Sequence, residues 1–178
     1  MQDRRTQLAD AALAVVSAKG LKGLTHRAVD AQAGVAVGTT SNYFRNRAAL
    51  VSAAVDRVEE LDRLLLQQGR ADFPTSVASL ADQIAGAVMR LATENADLTR
   101  ARFVFALDQP EMVAAGHERL VSALAQLLEA MAIPDARARA EAVSDYSDGQ
   151  ALHLLTARKG RIMDRATVTR NIQRLLEG

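Results

Sequence analysis

Residues 20–50 read GLKGLTHRAVDAQAGVAVGTTSNYFRNRAAL, and this stretch decides the fold of the N-terminal part of the chain. Thr25 is a good N-cap for a short helix. Gly34 ends that helix, because glycine readily adopts the left-handed conformation of a sharp reversal. A second short helix is predicted from about Val37 to Phe44. Two short helices joined by a tight glycine turn, with a longer apolar helix before them, predict a helix-turn-helix unit.

The composition of the whole chain indicates a helical globular protein. Its 178 residues are 49% hydrophobic and 24% charged, with three prolines and ten glycines. No apolar run approaches the ~20 residues that are needed to cross a bilayer. The absence of cysteine excludes disulfides, thiolate zinc sites and a cysteine nucleophile, and it suits a reducing compartment. We therefore expect an all-α, cytoplasmic protein that does not act at a membrane.

Charge is distributed unevenly along the chain. Residues 1–47 carry seven Lys or Arg against three acids, a net charge of +4, whereas residues 48–178 carry a net charge of −3. A small basic module on an acidic body is typical of a protein with a polyanionic partner. Chance surface charge is the alternative interpretation.

The second helix of a helix-turn-helix unit lies in the DNA major groove, where its first residues meet base edges. Short hydrogen-bonding side chains suit that position, because Asn pairs bidentately with adenine and Ser or Thr meets several bases. Tyr43 and Arg47 follow where phosphates pass. Val37 is expected either to meet a thymine methyl group or to pack in the core. The predicted contacts to double-stranded DNA are Val37, Gly38, Thr39, Ser41, Asn42, Tyr43 and Arg47.

These residues resemble the DNA-binding domain of the TetR family of bacterial transcriptional regulators, over about residues 4–55. The matches at the family's offsets are Gly20, Thr25, Ala33-Gly34-Val35, Gly38-Thr39, Tyr43-Phe44, Arg47 and Leu50. So many matches make the resemblance specific. It implies that Arg27 also reaches DNA, a solvated surface arginine being the alternative. It further implies a helix-turn-helix DNA-binding domain at residues 1–47 and a helical effector-binding and dimerisation domain at residues 48–178.

Three features depart from the family pattern. Ala36 stands at the expected N-cap of the third helix, where the family often has Ser, which weakens the cap by about 1 kcal/mol. Thr40-Ser41 replaces a common Leu-Tyr pair, and Thr40 is expected to be half-buried. Asp30 stands where a small apolar residue is usual, and it is expected either to pair with Arg27 or to face solvent.

Apolar stripes and turn residues predict six further helices, for a total of about nine. Proline is tolerated in the first turn of a helix, so Pro110 is expected to start the seventh. Asp148-Gly149 has the composition of a turn, whereas the resemblance places it inside the eighth helix. The expected landmarks are a fourth helix from Arg47 to about Gly69, a loop at Ala71–Ser76 that caps the fifth, a sixth from Leu98 to Leu107, an eighth from Pro134 to about Arg158, and a ninth through Val168 and Leu175.

The resemblance also implies a homodimer and a pocket for a small-molecule effector. Dimer contacts are expected at Gly149, Leu152, Ile172 and Leu175. Arg102 is expected to meet an acidic ligand group or a nearby acid such as Asp145, because an unpaired buried charge is costly. With six aromatic residues in the chain, an aliphatic pocket is favoured. The pocket candidates, each of which is alternatively plain core, are Met89, Arg102, Phe103, Phe105, His117 and Tyr146.

These expectations describe a ligand-responsive transcriptional regulator, usually a repressor in this family. It would bind a palindromic operator as a homodimer and be released by its effector. No cofactor or metal is expected, because the three histidines lack metal-ligand spacing and no P-loop or Rossmann fingerprint occurs. The alternatives are a helical interaction module without DNA binding, which salt-sensitive binding to palindromic DNA would exclude, and a small helical enzyme.

Overall fold

The computed structural model describes residues 3–68 and 73–178, apart from the side chains of residues 65–68. Within these ranges the structure contains nine α-helices, one short 3₁₀ turn at Leu21–Gly23 and no strand, so the all-α prediction is confirmed. No described helix is both long enough and apolar enough to pass through a membrane. The helices are α1 (Arg4–Lys19), α2 (His26–Ala33), α3 (Thr39–Tyr43), α4 (Arg47–Gln68), α5 (Val77–Ala92), α6 (Ala96–Asp108), α7 (Pro110–Ala130), α8 (Ala136–Leu155) and α9 (Arg165–Glu177).

Helix ends that depend on local signals lie where the sequence predicts them. The Thr25 hydroxyl accepts a hydrogen bond from the Ala28 N–H at 3.2 Å and so caps α2. Gly34 ends α2 in the left-handed conformation, with φ at 64°. Ser76 caps α5, and Pro110 is the first residue of α7. The predicted end of α4 at Gly69 and the start of the following loop lie outside the described residues.

The third helix is shorter than predicted. It begins at Thr39 instead of Val37, and its N-cap residue is Gly38 with φ at 93°. The Thr39 N–H donates to the Ala36 carbonyl at 3.0 Å, so Ala36 belongs to the turn before the helix. The prediction that Ala36 is the N-cap is therefore wrong. In α8, Gly149 lies inside the helix, as the resemblance implies, and the helix ends at Leu155 rather than near Arg158.

The described residues form two compact units. One contains residues up to Arg63 together with Asp97–Ala114, so it is larger than the predicted segment 1–47. Contacts within this unit explain the difference. Arg57 of α4 forms an ion pair with Asp10 of α1 at 2.6 Å, and the Ser17 hydroxyl of α1 donates to Asp97 of α6 at 2.8 Å. The boundary of the DNA-binding function at residue 47 stays a prediction.

The second unit contains the described residues of 64–96 and 115–178. Its core forms where α5 packs against α8 and α9, and where α8 packs against α9. At the surface of the unit, Arg165 at the start of α9 donates to Asp82 of α5 at 2.8 Å. The buried apolar cluster includes Leu80, Ala85, Val121, Leu128, Val143, Val168, Ile172 and Leu176.

Candidate nucleic-acid interface

Most of the residues predicted to contact DNA lie on α2, on α3 or in the turn between them. α2 and α3 pack against each other, and Arg27, Ser41 and Asn42 are exposed. Tyr43 is 42% exposed, and Val37, just before Gly38, is 83% exposed. Core packing of Val37 is therefore wrong, and its methyl groups are available to a thymine methyl group.

Two of the predicted contact residues already use their hydroxyl hydrogens within the chain. The Thr39 hydroxyl donates to the Ala36 carbonyl at 2.6 Å. The Ser41 hydroxyl donates to the Gly38 carbonyl at 2.7 Å. A hydroxyl oxygen keeps its acceptor capacity when it donates, so in this conformation Thr39 and Ser41 can accept from a base amino group.

Asn42 has the side chain best suited to read a base. Its amide makes no hydrogen bond within residues 3–68 and 73–178, and it is exposed near the C-terminal end of α3. A free amide offers a donor and an acceptor together, which matches the N6 and N7 edge of adenine. The guanidinium of Arg27 likewise has no partner in the described part of the chain, so it is available to a phosphate or a base.

Asp30 is buried, and it holds the N-terminus of α3. Its side chain is 2% exposed, so both sequence-based expectations, pairing with Arg27 and facing solvent, are wrong. Oδ2 accepts from the Gly38 N–H at 2.7 Å. Oδ1 accepts from the Thr40 N–H at 2.7 Å and from the Thr40 hydroxyl at 2.6 Å. Thr40 itself is completely buried rather than half-buried.

The environment of Asp30 favours its charged form. Burial opposes the charge, but hydrogen bonds from the Thr40 side chain, the Thr40 N–H and the Gly38 N–H outweigh that effect. Together they hold the pKa of Asp30 below its ordinary value. A group whose pKa is lower in the folded chain than in the unfolded chain stabilises the fold at pH values above its unfolded-state pKa. This stabilisation is lost as the pH falls through the folded-state pKa.

We therefore expect the stability advantage of the wild-type protein over Asp30→Asn to depend on pH. At neutral pH the advantage should be about 1.5–3 kcal/mol, the usual contribution of hydrogen bonds to a charged group. Below about pH 4 it should shrink, because the carboxyl takes up a proton in the unfolded chain and then in the folded chain. Urea unfolding of both proteins between pH 7 and 3 measures this difference. An advantage that stays constant over the series would contradict the charged-state explanation.

Three contacts around α3 could not be predicted from the sequence. His26 lies within 2.6 Å of the Phe44 carbonyl, which can only accept, so Nε2 carries the proton. The guanidinium of Arg5 lies over the Phe44 ring, 4.8 Å from its centroid. Arg47 donates to the Leu21 carbonyl at 2.7 Å. Arg47 thus braces the start of α4, in addition to its predicted phosphate contact.

The effector-pocket candidates are divided between the two units. Arg102, Phe103 and Phe105 belong to the first, and Met89, His117 and Tyr146 to the second. Arg102 lies 3.8 Å from Asp62, which corrects the suggested partner Asp145. Phe105 is completely buried and His117 is exposed. The pocket stays a prediction from the resemblance.

The dimer candidates differ sharply in exposure. Ile172 is completely buried within its own unit, where it belongs to the core cluster, so its expected role as a dimer contact is wrong. Leu175 is half-buried against the same cluster. Leu152 is 40% exposed, and a Cβ atom added at Gly149 would meet nothing within 4 Å. Gly149 and Leu152 therefore remain the candidates that a second chain could reach.

Comparison with known proteins identifies a family that the helix-turn-helix region resembles. Residues 8–54 match the family described as bacterial regulatory proteins, tetR family. No curated protein matches the chain by sequence. A member of the TetR family from Streptomyces coelicolor is 26% identical with a TM-score of 0.76, and the match covers 98% of this chain and 99% of that one.

Two further solved structures share the fold over nearly the whole chain. A transcriptional regulator from Rhodococcus sp. Rha1 is 18% identical with a TM-score of 0.80, and the match covers 98% of this chain and 94% of that one. The multidrug binding protein EbrR, complexed with malachite green, is 25% identical with a TM-score of 0.75, covering 98% and 99%. The resemblance to the TetR family is thus confirmed over residues 8–54 and in the fold of the chain. Members of that family are DNA-binding regulators rather than enzymes.

Proposed function

We propose that this chain, which has the fold of TetR-family transcriptional regulators and matches the family over residues 8–54, represses transcription by binding a palindromic operator as a homodimer. The observation that carries the DNA-binding part is the exposed, unpartnered amide of Asn42 on a helix whose other side is buried. A dyad relating two such helices would place them on inverted half-sites.

In-vitro selection of DNA by the purified protein tests this proposal. We expect an inverted repeat whose half-sites lie about one helical turn, ~34–36 Å, apart. A single half-site that binds with full affinity would contradict the dimeric arrangement. A reporter gene placed behind the selected site then decides the sign of regulation, since a repressor lowers its expression.

Asn42→Ala should relax sequence preference. If the amide pairs with a base, the variant should lose about 1–3 kcal/mol on the selected site and little on unrelated DNA. Arg27→Ala should instead weaken binding to all sequences and flatten its salt dependence, because phosphate contacts act through counterion release. Gln126→Ala, which removes an exposed amide from α7, is the control. If Asn42→Ala and Arg27→Ala both lose the same affinity for every DNA sequence, the assignment of a base contact to Asn42 and a phosphate contact to Arg27 is wrong.

Gly149→Leu should weaken dimerisation while leaving the folded chain intact. Within one chain a Cβ atom at Gly149 has open space, and replacing a glycine inside a helix improves helix propensity by up to about 1 kcal/mol. Any loss therefore comes from a second chain that packs closely there. Sedimentation at several concentrations measures the dimer, with Gly149→Ala as the smaller change. A Gly149→Leu dimer of wild-type affinity would remove this residue from the interface.

A small-molecule effector completes the proposal. The chain has few aromatic side chains for stacking flat molecules, since Phe44 and Phe105 are completely buried and Tyr43 belongs to the DNA-binding helix. In contrast to EbrR, which binds malachite green, we expect an aliphatic effector. Thermal-shift screening should show larger shifts with medium-chain aliphatic acids and alcohols than with malachite green.

Effector and DNA must affect each other equally if the effector is the signal. Linkage requires that an effector weaken operator binding by the same factor by which operator weakens effector binding, typically about 1–3 kcal/mol. The best aliphatic compound is titrated into the protein with and without operator. Equal affinities in the two titrations would show that this compound is not the regulatory signal.

A further inference from the structure

The N-terminus of α3 has no cap from its own segment. The first N–H groups of a helix lack partners inside the helix and need an outside acceptor. The N-cap residue of α3 is Gly38, which has no side chain, and Ala36 before it offers no acceptor in its side chain. The acceptor comes instead from α2, because the Asp30 carboxylate accepts hydrogen bonds from the N–H groups of Gly38 and Thr40.

This contact differs from ordinary helix packing in its geometry. Both carboxylate oxygens are used, and the three hydrogen bonds are 2.6–2.7 Å long. Hydrogen bonds weaken steeply when distance and angle change, whereas apolar contact is non-directional. A buried carboxylate that is bonded to two backbone N–H groups of α3 therefore sets the position of that helix relative to α2 closely.

The three departures from the family pattern are physically coupled. A buried carboxylate at position 30 is costly without donors, and Thr40 supplies two of the three. A buried hydroxyl at position 40 is costly without an acceptor, and Asp30 supplies it. Ala36, where the family often has Ser, offers no side-chain acceptor to the N-terminus of α3, and the Asp30 carboxylate supplies the acceptor from α2.

We propose that Asp30 is the positioning residue of the DNA-reading helix, and that Asp30, Thr40 and Ala36 form one coupled set that replaces the small apolar residue, Leu and Ser cap of the family pattern. The inference rests on the proposed function for its effect on DNA binding. The set orients the exposed Ser41 and Asn42 of α3, together with Val37 in the turn before the helix, so it governs sequence preference without touching DNA.

Thr40→Val and Thr40→Ser are a matched pair that tests the proposal in a folded protein. Valine has the shape of threonine but removes the bond to Oδ1, whereas serine keeps the hydroxyl. Binding is measured per folded molecule, at fixed salt, to the selected operator and to scrambled DNA. Thr40→Val should lower the ratio of operator affinity to scrambled-DNA affinity about tenfold, the size of one hydrogen bond to a charged group. Thr40→Ser should keep most of the ratio.

The coupling is tested by exchanging the whole set. Asp30→Ala alone should lower the ratio of operator affinity to scrambled-DNA affinity more than tenfold, because two backbone N–H groups lose their acceptor. The triple variant Asp30→Ala/Thr40→Leu/Ala36→Ser restores the family residues. Its ratio of operator affinity to scrambled-DNA affinity should be at least tenfold higher than that of Asp30→Ala. Single losses that simply add in the triple variant would overturn the coupling. An unchanged operator ratio in folded Thr40→Val would overturn the positioning role.

Amide hydrogen exchange separates failure of this inference from failure of the proposed function. The N–H groups of Gly38 and Thr40 should be protected in the wild-type protein and exchange at least tenfold faster in Asp30→Asn. A wild-type protein that prefers no DNA sequence would overturn the proposed function and the DNA effect of Asp30. Unchanged exchange in Asp30→Asn would overturn the positioning of α3 by Asp30, whatever the DNA result.

Discussion

Replacing Phe44 by alanine is expected to destabilise the unit that contains it by about 3–5 kcal/mol, the range for removing a large aromatic side chain from a core. Phe44 is completely buried and is among the largest fully buried side chains of the described chain. Its carbonyl accepts from His26, and Arg5 lies over its ring. Loss of the ring therefore removes a large buried apolar side chain that supports α3.

Urea unfolding followed by circular dichroism measures this loss, and operator binding should fall with it. The free energy of unfolding of an ordinary protein is about 5–15 kcal/mol in total, so the Phe44→Ala variant is expected to be partly unfolded in the absence of urea. Phe44→Leu is the milder second variant. The neighbouring Tyr43→Ala is the control, because Tyr43 is 42% exposed. Equal destabilisation by the Tyr43 and Phe44 variants would show that Phe44 does not anchor the helix.

Ile172→Ala is expected to destabilise the second unit by about 2–5 kcal/mol. Ile172 is completely buried in the cluster that α9 shares with α5 and α8. Its removal leaves a cavity inside one chain, so the effect should be on folding rather than on a contact between chains. Unfolding monitored at several protein concentrations separates the two, because loss of a dimer contact makes stability more dependent on concentration.

Leu152→Ala is the matched comparison for Ile172→Ala. Leu152 is 40% exposed on α8, so its truncation should change the stability of a single chain little and should weaken the proposed dimer. If Ile172→Ala shifts the dimer equilibrium and leaves unfolding unchanged, the assignment of Ile172 to the core is wrong. Sedimentation of both variants at matched concentrations provides that comparison.

Local signals explain why most of the helices could be predicted. A cap, a glycine turn or a proline acts within about four residues of its own position. Thr25, Gly34, Ser76 and Pro110 therefore begin or end helices where the sequence indicates. The helix-turn-helix and the TetR resemblance follow from the same kind of information, since their residues lie at fixed offsets within a single stretch.

Gly149 shows where the resemblance improved on local rules. Asp148-Gly149 has the composition of a turn, yet both residues lie inside α8. The cost of a glycine in a helix is about 1 kcal/mol, which the packing of a long helix easily outweighs. Turn composition alone was thus a poor guide at this position.

The sequence by itself determined the helices, the helix-turn-helix unit and the resemblance to the TetR family, because these depend on residues that lie near one another in the chain. Tertiary structure decided what Asp30 and Ile172 do. Asp30 could pair with Arg27, face solvent or cap another helix, and only the fold-back of α3 onto α2 brought two N–H groups ten or fewer residues away within 2.7 Å of its carboxylate. Ile172 and Leu152 are both apolar residues on helices, and only the packing of α9 against α5 buried one of them and left the other exposed.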